Sequence, residues 1–262
     1  MTTRSLAAIT GASSGIGSVF ARRLAPQYDL LLIARRRERL DELARDLRAR
    51  HGTMVTVMAA DLTDAAQVHS VAERLAGEPN LGMFVNNAGF GNRGLFWETD
   101  LAVIDKMHRL HIMATLALVH SALGVMVKQD RGVLINVASV ASFAQRAGNA
   151  SYGASKSWLA AFSEGLYLDL KKAGSTVTVQ ALCPGYTYSG FHDLLGEDRN
   201  RLASPSLWLT ADAVVDCSLK ALPGRKLFVI PGWRYKLLLG LVSRLPWWLK
   251  LRLEASQNPR KA

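Results

Sequence analysis

In "NASYGASKSW", residues 149–158, Tyr152 and Lys156 stand four apart among small residues. Residues at i and i+4 of a helix share a face, so the two point the same way. Both groups ordinarily titrate near about pH 10, outside the range of an unassisted catalyst at neutrality. Side by side they change character. A neutral phenol can give a proton to an oxygen, and a nearby cation favours the tyrosinate that takes one back. A helical surface turn could carry the same two residues, so the pair needs support from elsewhere in the chain.

Support comes first from "TGASSGIG", Thr10 to Gly17. It follows a short apolar run and opens a helical pattern. Gly11 permits a tight exit, while Gly15 and Gly17 allow close approach to the backbone. Free N–H groups and the helix dipole attract a pyrophosphate here, in a turn that also holds Ser13, Ser14 and Ile16. The spacing is G-x-x-x-G-x-G rather than G-x-G-x-x-G, but its place after the first strand favours a nucleotide over a plain glycine turn.

The second apolar run ends in "IARRRERLDEL". An acidic residue at this point would suit a ribose 2′-hydroxyl. Arg35 and Arg36 stand there instead and suit a 2′-phosphate, so NADP(H) is expected over NAD(H). Asp61, in "AADLTD", suits an adenine amino group or caps the following helix. "VNNAGFG" puts Asn87, Ala88 and Gly89 where the backbone can come close at a switch of strand order.

The elements that must hold these residues follow from periodicity. Apolar runs at 5–10, 29–34, 54–59, 82–87, 132–139, 176–182 and 226–230 read as strands. Amphipathic stretches near 15–25, 36–50, 64–76, 99–128, 151–173 and 211–221 read as helices. The alternation implies βαβ units with right-handed crossovers. The expected fold is α/β: a doubly wound, Rossmann-like parallel sheet of seven strands. One domain spans 1–230, followed by a C-terminal extension over 231–262. The chain has 262 residues, enough for one sizeable core.

Charge and cysteines narrow the class. Of a formal net charge of +11, most lies at the end: Lys220 to Ala262 hold ten Lys/Arg and one acidic residue, Glu254. The nearly neutral body argues against a nucleic-acid partner. Cys183 and Cys217 form no disulfide framework and suit a reducing compartment, so a cytoplasmic location is expected. No metal is expected. No run of uninterrupted apolar residues is long enough for a spanning helix.

With "TGASSGIG", "NNAG", Ser139 in "NVASV", "YGASK" and "CPGYTYS" in this order and spacing, the chain resembles the classical short-chain dehydrogenases/reductases over roughly residues 5 to 230. The resemblance implies a nicotinamide cofactor and alcohol–carbonyl interconversion. It implies that Tyr152 is the acid/base, that Lys156 binds the nicotinamide ribose, and that Ser139 bonds the substrate oxygen. Gly11, Gly15, Ile16 and Gly17 would form the pyrophosphate turn. Asp61 and Leu62 would touch adenine, and Asn87 to Gly89 the adenosine ribose. Pro184, Gly185, Thr187 and Ser189 would close over the nicotinamide, and Ser14 and Arg35 would take the 2′-phosphate. The resemblance also implies a homodimer or homotetramer through the helices near 99–128 and 151–173.

One position departs from the family pattern. His111, in "RLHIMATL", stands where a catalytic asparagine is usual. Either it takes over part of the proton relay or it is only packed.

The loops near 90–97, 140–149 and 186–209 offer Phe90, Phe96, Trp97, Phe143, Tyr186, Phe191, Leu194, Leu195 and Trp208, which suits an apolar ketone, aldehyde or alcohol. A catalytically weak NADP(H) sensor is the alternative, as is a reductase of lipid-like carbonyl compounds at a membrane surface. The tail 231–253 carries leucines, tryptophans and basic residues. It either packs on the protein or makes peripheral contact with an anionic membrane.

Overall fold

The computed structural model describes residues 4–189 and 203–255. Strands β1 (Leu6–Thr10), β2 (Asp29–Ala34), β3 (Val55–Ala59), β4 (Leu81–Asn86), β5 (Val133–Val137) and β6 (Thr178–Leu182) form the sheet with β9 (Phe228–Val229). Their order is β3-β2-β1-β4-β5-β6-β9, parallel throughout. Two short strands, β7 (Thr187–Tyr188) and β8 (Leu209–Thr210), pair separately. This is the doubly wound α/β fold that the strand–helix alternation calls for.

Every residue of β1 is buried, as a central parallel strand covered on both faces requires. The edge strand β3 has one residue buried, with the others partly or fully exposed. Helices α1 (Gly15–Leu24) and α2 (Arg37–His51) cover one face with Phe20, Leu24, Leu40 and Leu47. Helix α3 (Ala65–Ala76) and the long helix from Leu101 to Lys128 cover the other with Val71, Leu75, Leu118 and Met126. Asp64 caps α3 by accepting from the Gln67 N–H at 2.9 Å.

The stretch 99–128 reads as one helix in sequence but is three pieces. Helix α4 (Leu101–His108) and helix α5 (Thr115–Lys128) flank a π-helical segment, Arg109–Ala114. By length and composition the 28-residue whole could cross a membrane. Its buried residues, Ile104, Met107, Ala114, Leu118, Ala122 and Met126, instead line the core beside the sheet. Helix α6 (Ala150–Lys172) and helix α7 (Ala211–Ala221) follow, and helices α8 (Trp233–Val242) and α9 (Trp247–Ala255) form the extension.

A polar thread crosses the core. Asn86 and Asn136 face each other across β4 and β5. Asn86 Nδ2 donates to Asn136 Oδ1 at 3.1 Å and to Thr115 Oγ1 at 3.0 Å. Asn136 Nδ2 donates to Ser163 Oγ at 2.9 Å, which ties the sheet to α6. Removing one partner of a buried pair leaves the other without a hydrogen bond. Asn136→Ala is therefore expected to cost about 2–3 kcal/mol in denaturant unfolding, well above a surface substitution. An unchanged midpoint would show that the thread contributes nothing.

Candidate active site

The strand order reverses between β1 and β4, and their C-terminal ends open a crevice there. Thr10 pins it. Its hydroxyl oxygen accepts from the Asn87 and Ala88 N–H groups at 2.9 and 3.0 Å and lies 3.4 Å from the Val85 carbonyl. Asn87 Nδ2 returns a bond to the Thr10 carbonyl at 2.9 Å. Gly11 leaves the strand at φ +67°. A Cβ at Gly17 would stand 2.7 Å from Asn87 Nδ2, so only glycine lets α1 start this close. Gly15 meets Ser189 in the same way, bringing the segment after β6 onto the turn.

The two arginines take different places in the structure. Arg36, not Arg35, reaches the turn: its Nη2 donates to Ser13 Oγ at 3.0 Å and Ser14 Oγ at 2.8 Å. Arg35 instead lies near enough to Asp61 to help hold its carboxylate. Burial alone would raise the Asp61 pKa. The backbone and hydroxyl of Thr63, at 3.0 and 2.9 Å, outweigh it, and the net shift is downward. Asp61 makes this local turn, while Asp64 caps the helix; the helix-cap alternative for Asp61 is thereby dropped. Leu62 is buried beside it.

Three side chains meet across the β5–α6 connection. Ser139, just after β5, accepts from the Ala141 N–H at 3.1 Å and hydrogen-bonds the Tyr152 hydroxyl. Lys156 is buried, its Nζ donates to the Val137 carbonyl at 2.9 Å, and it lies 5.9 Å from the Tyr152 ring centroid. Two further bonds brace the connection. Ser142 Oγ donates to the Lys156 carbonyl at 2.7 Å, and Ser157 Oγ to the Ser142 carbonyl at 2.9 Å.

Burial dominates the electrostatics. It pushes the Tyr152 phenol up to about 12 against the pull of Ser139. The sequence led us to expect Lys156 to lower that phenol; among the protein's own groups, desolvation wins. Burial also lowers Lys156 to about 8, with Cys183 behind it opposing the shift. At neutrality the site thus offers a phenol O–H beside a lysine that still carries its charge.

His111 sits in the π-helical segment and is buried. Its Nε2 accepts from the Phe90 N–H at 3.3 Å. A backbone N–H only donates, so the ring proton must lie on Nδ1. Nδ1 then donates to Ser155 Oγ at 2.9 Å, and Ser155 donates to the Tyr152 carbonyl at 2.8 Å. The chain of bonds joins the turn after β4 to the helix that carries Tyr152. Both ring nitrogens are engaged, so the imidazole supports the site through contacts that a packed residue makes. Burial, then the charges of Lys156 and His108, hold its pKa well below the usual value.

Tyr235 of α8 is buried at the same rim. Its hydroxyl accepts from the Tyr186 N–H at 2.9 Å and donates to the Leu207 carbonyl at 2.7 Å. The ring lies where a Cβ on Gly185 would be, which fixes residue 185 as glycine. Pro184 and Thr187 are buried on either side of this contact.

Of the aromatic residues expected along the pocket, several pack on each other. Trp208 lies 5.3 Å from Tyr186 and 4.9 Å from Tyr188, and Phe143 lies 5.6 Å from Phe228, between ring centroids. Phe90 is tilted over His111 at 6.1 Å, while Phe96 and Trp97 are exposed. Phe191, Leu194 and Leu195 lie outside the described residues.

A family model described as short chain dehydrogenase matches residues 5–200. The chain belongs to that family. It is an oxidoreductase by membership. Its structure is similar to a short-chain dehydrogenase from Sphingobium yanoikuyae in complex with NADPH, at 33% identity and a TM-score of 0.82, covering 93% of this chain and 97% of that one. It is also similar to a short chain dehydrogenase/reductase from Burkholderia phymatum in complex with NAD, at 25% identity and a TM-score of 0.80, covering 98% and 96%. A 7beta-hydroxysteroid dehydrogenase from Collinsella aerofaciens is 27% identical over 229 residues, which are 87% of this chain and 86% of that protein.

Sequence reasoning missed Thr10, Ser155 and Tyr235. Thr10 was in view as the first letter of the glycine motif, but its burial shows only in three dimensions. Tyr235 lies 49 residues from its Tyr186 partner, and no local pattern announces it.

The lowered His111 pKa carries a stability consequence. In the unfolded chain the imidazole titrates near 6.5, while the folded state resists the proton. The unfolded state therefore binds more protons as pH falls below 6.5. Stability is full above that pH and is lost as pH falls, by up to about 1.4 kcal/mol per pH unit. His111→Gln is expected to flatten this slope below about pH 6.5 in unfolding titrations. Parallel slopes in the two proteins would refute the assignment.

Proposed function

We propose that the chain is an NADP(H)-dependent oxidoreductase that interconverts an apolar ketone or aldehyde and its alcohol. The observation that carries this reading is the meeting of Ser139, Tyr152 and Lys156 beside a glycine turn that Arg36 covers. The residues fit the cofactor. Side chains are lacking at Gly11, Gly15 and Gly17, where a pyrophosphate needs the backbone. Ser13, Ser14 and Arg36 form a cationic, hydroxyl-rich cup suited to a 2′-phosphate. Asp61 and Leu62 would flank the adenine, and Asn87, Ala88 and Gly89 the adjoining ribose. Pro184, Gly185, Thr187 and Ser189 would bound the nicotinamide, and Lys156 would hold its ribose. The cofactor, when bound, supplies or accepts the hydride.

The protein handles the proton. Ser139 donates to the substrate oxygen and fixes its direction. Tyr152, protonated at neutrality, gives its proton to that oxygen in reduction. The charge on Lys156 then favours the tyrosinate, and the same charge assists proton removal in the oxidative direction. His111 is a positioning residue: through Ser155 it holds the backbone of Tyr152.

The bulky steroid named for the Collinsella relative supports a large apolar substrate, as do Phe90 and the aromatic wall at Tyr186 and Trp208. Met113 and Leu116 on the long helix and Leu168 on α6 are exposed, which supports self-association through those helices.

Tyr152→Phe is expected to lower kcat for ketone reduction by about 10²- to 10⁴-fold while NADPH still quenches protein fluorescence at the same concentrations. Turnover within a few-fold of the parent would sink the proton-donor role. Arg36→Ser is expected to weaken NADPH binding by about tenfold, about 1.4 kcal/mol, and to leave NADH unchanged. Equal loss for both cofactors would instead assign Arg36 to the pyrophosphate.

A further inference from the structure

Helix α8 has ten residues and α9 nine, each too short to cross a bilayer. The sequence suggests a leucine face opposed to a basic face on the first of these. The structure arranges it otherwise. Tyr235 faces inward, with Leu239 and Val242 partly buried near it, and one broad outer face mixes both kinds of residue. Trp233, Leu237 and Leu241 there, with Trp247, Trp248 and Leu251 on α9, are each more than half exposed. Arg234, Lys236, Arg244 and Arg252 stand exposed among them. The Arg234 guanidinium lies 5.0 Å from the Trp233 ring centroid.

Beside this face runs a cleft of about 780 Å³ between α7, β9 and the start of α8. Lys220, Lys226 and Lys236 line it, together with Asp216 and an apolar floor that includes Phe228 and Ile230. Asp216 is already paired with Arg23 at 2.8 Å, which leaves the cleft basic. Exposed tryptophan and leucine interleaved with arginine and lysine suit the headgroup boundary of a bilayer. The rings and leucines enter the interface while the long basic side chains reach the phosphates.

We propose that α8, α9 and the adjoining lysine cleft form a docking face for an anionic lipid surface. Charge decides between this occupant and a second copy of the chain. Lys220, Lys226, Arg234, Lys236, Arg244 and Arg252 stand on the face and its cleft, where Asp216 is already paired, so two such faces would repel each other. An anionic bilayer is complementary to those basic side chains. Because Tyr235 is rooted at Gly185 and Leu207, the docked face holds the active-site rim close to the lipid surface. The proposal stands independently of which nicotinamide cofactor binds.

The test is flotation of the full-length protein with phosphatidylcholine vesicles, with and without phosphatidylserine. Binding is expected to be at least about tenfold stronger on the anionic vesicles and to weaken with added salt. Leu237→Ser/Leu241→Ser is expected to abolish flotation with turnover of a water-soluble ketone unchanged. Lys220→Glu/Lys226→Glu, which leaves the helices intact, is expected to weaken binding about tenfold or more. Equal partition onto both vesicle types, or no partition, would overturn the proposal. So would a sedimentation mass that falls when Leu237 and Leu241 are replaced in the absence of lipid, since that result would assign the face to a second copy.

Discussion

Thr10 is wholly buried, and one hydroxyl there holds two strands in register at the point where the sheet changes direction. Everything at the crevice depends on that closeness. Asn87 can reach the Thr10 carbonyl only because Gly11 and Gly17 present no side chains to it. The same closeness leaves the first N–H groups of α1 aimed into the crevice rather than into protein. A bulkier connection would separate β1 from β4 and dissolve the anion site along with the packing. Here the constraint that closes the fold also shapes the site.

The catalytic corner shows a second constraint, the cost of removing charge from water. Tyr152, Lys156, His111 and Cys183 crowd one small volume, and each is shifted toward its neutral form. The result is a quiet site at neutrality, with the phenol proton retained and the lysine still charged but holding its proton less tightly than a free amine. Such a corner responds strongly to any added charge, because little solvent is present to screen it. Its geometry is held by serines whose hydroxyls reach main-chain carbonyls: Ser142 and Ser157 tie the connection to the helix, and Ser155 links His111 to the Tyr152 carbonyl.

Much of this was legible in the sequence. The strand–helix rhythm calls for the seven-stranded sheet, and "TGASSGIG" and "YGASK" mark the crevice and the catalytic helix. What sequence periodicity could not reveal are events that depend on partners far along the chain. The π-helical segment preserves apolar spacing well enough to pass for an ordinary helix, and it becomes visible only when His111 is seen turned inward. Arg35 and Arg36 are adjacent and alike in sequence, and only the start of α2 at Arg37 decides which of them reaches Ser13 and Ser14. The tail misled for a related reason. Its leucines and basic residues rank faces by hydrophobicity alone, whereas Tyr235 faces inward because Gly185, far back in the chain, leaves room for its ring.

That glycine has a consequence for the order in which the molecule is made. Strands β1 to β6 are complete by Leu182, well before Tyr235 leaves the ribosome. A nascent chain can therefore assemble six of the seven strands of its sheet and its phosphate turn while the floor beneath Gly185 is still missing. Helix α8, made after the sheet, thus completes a crevice that formed before it. A chain stalled in synthesis would hold a nearly finished fold with an unfinished rim, and so would be compact without being competent.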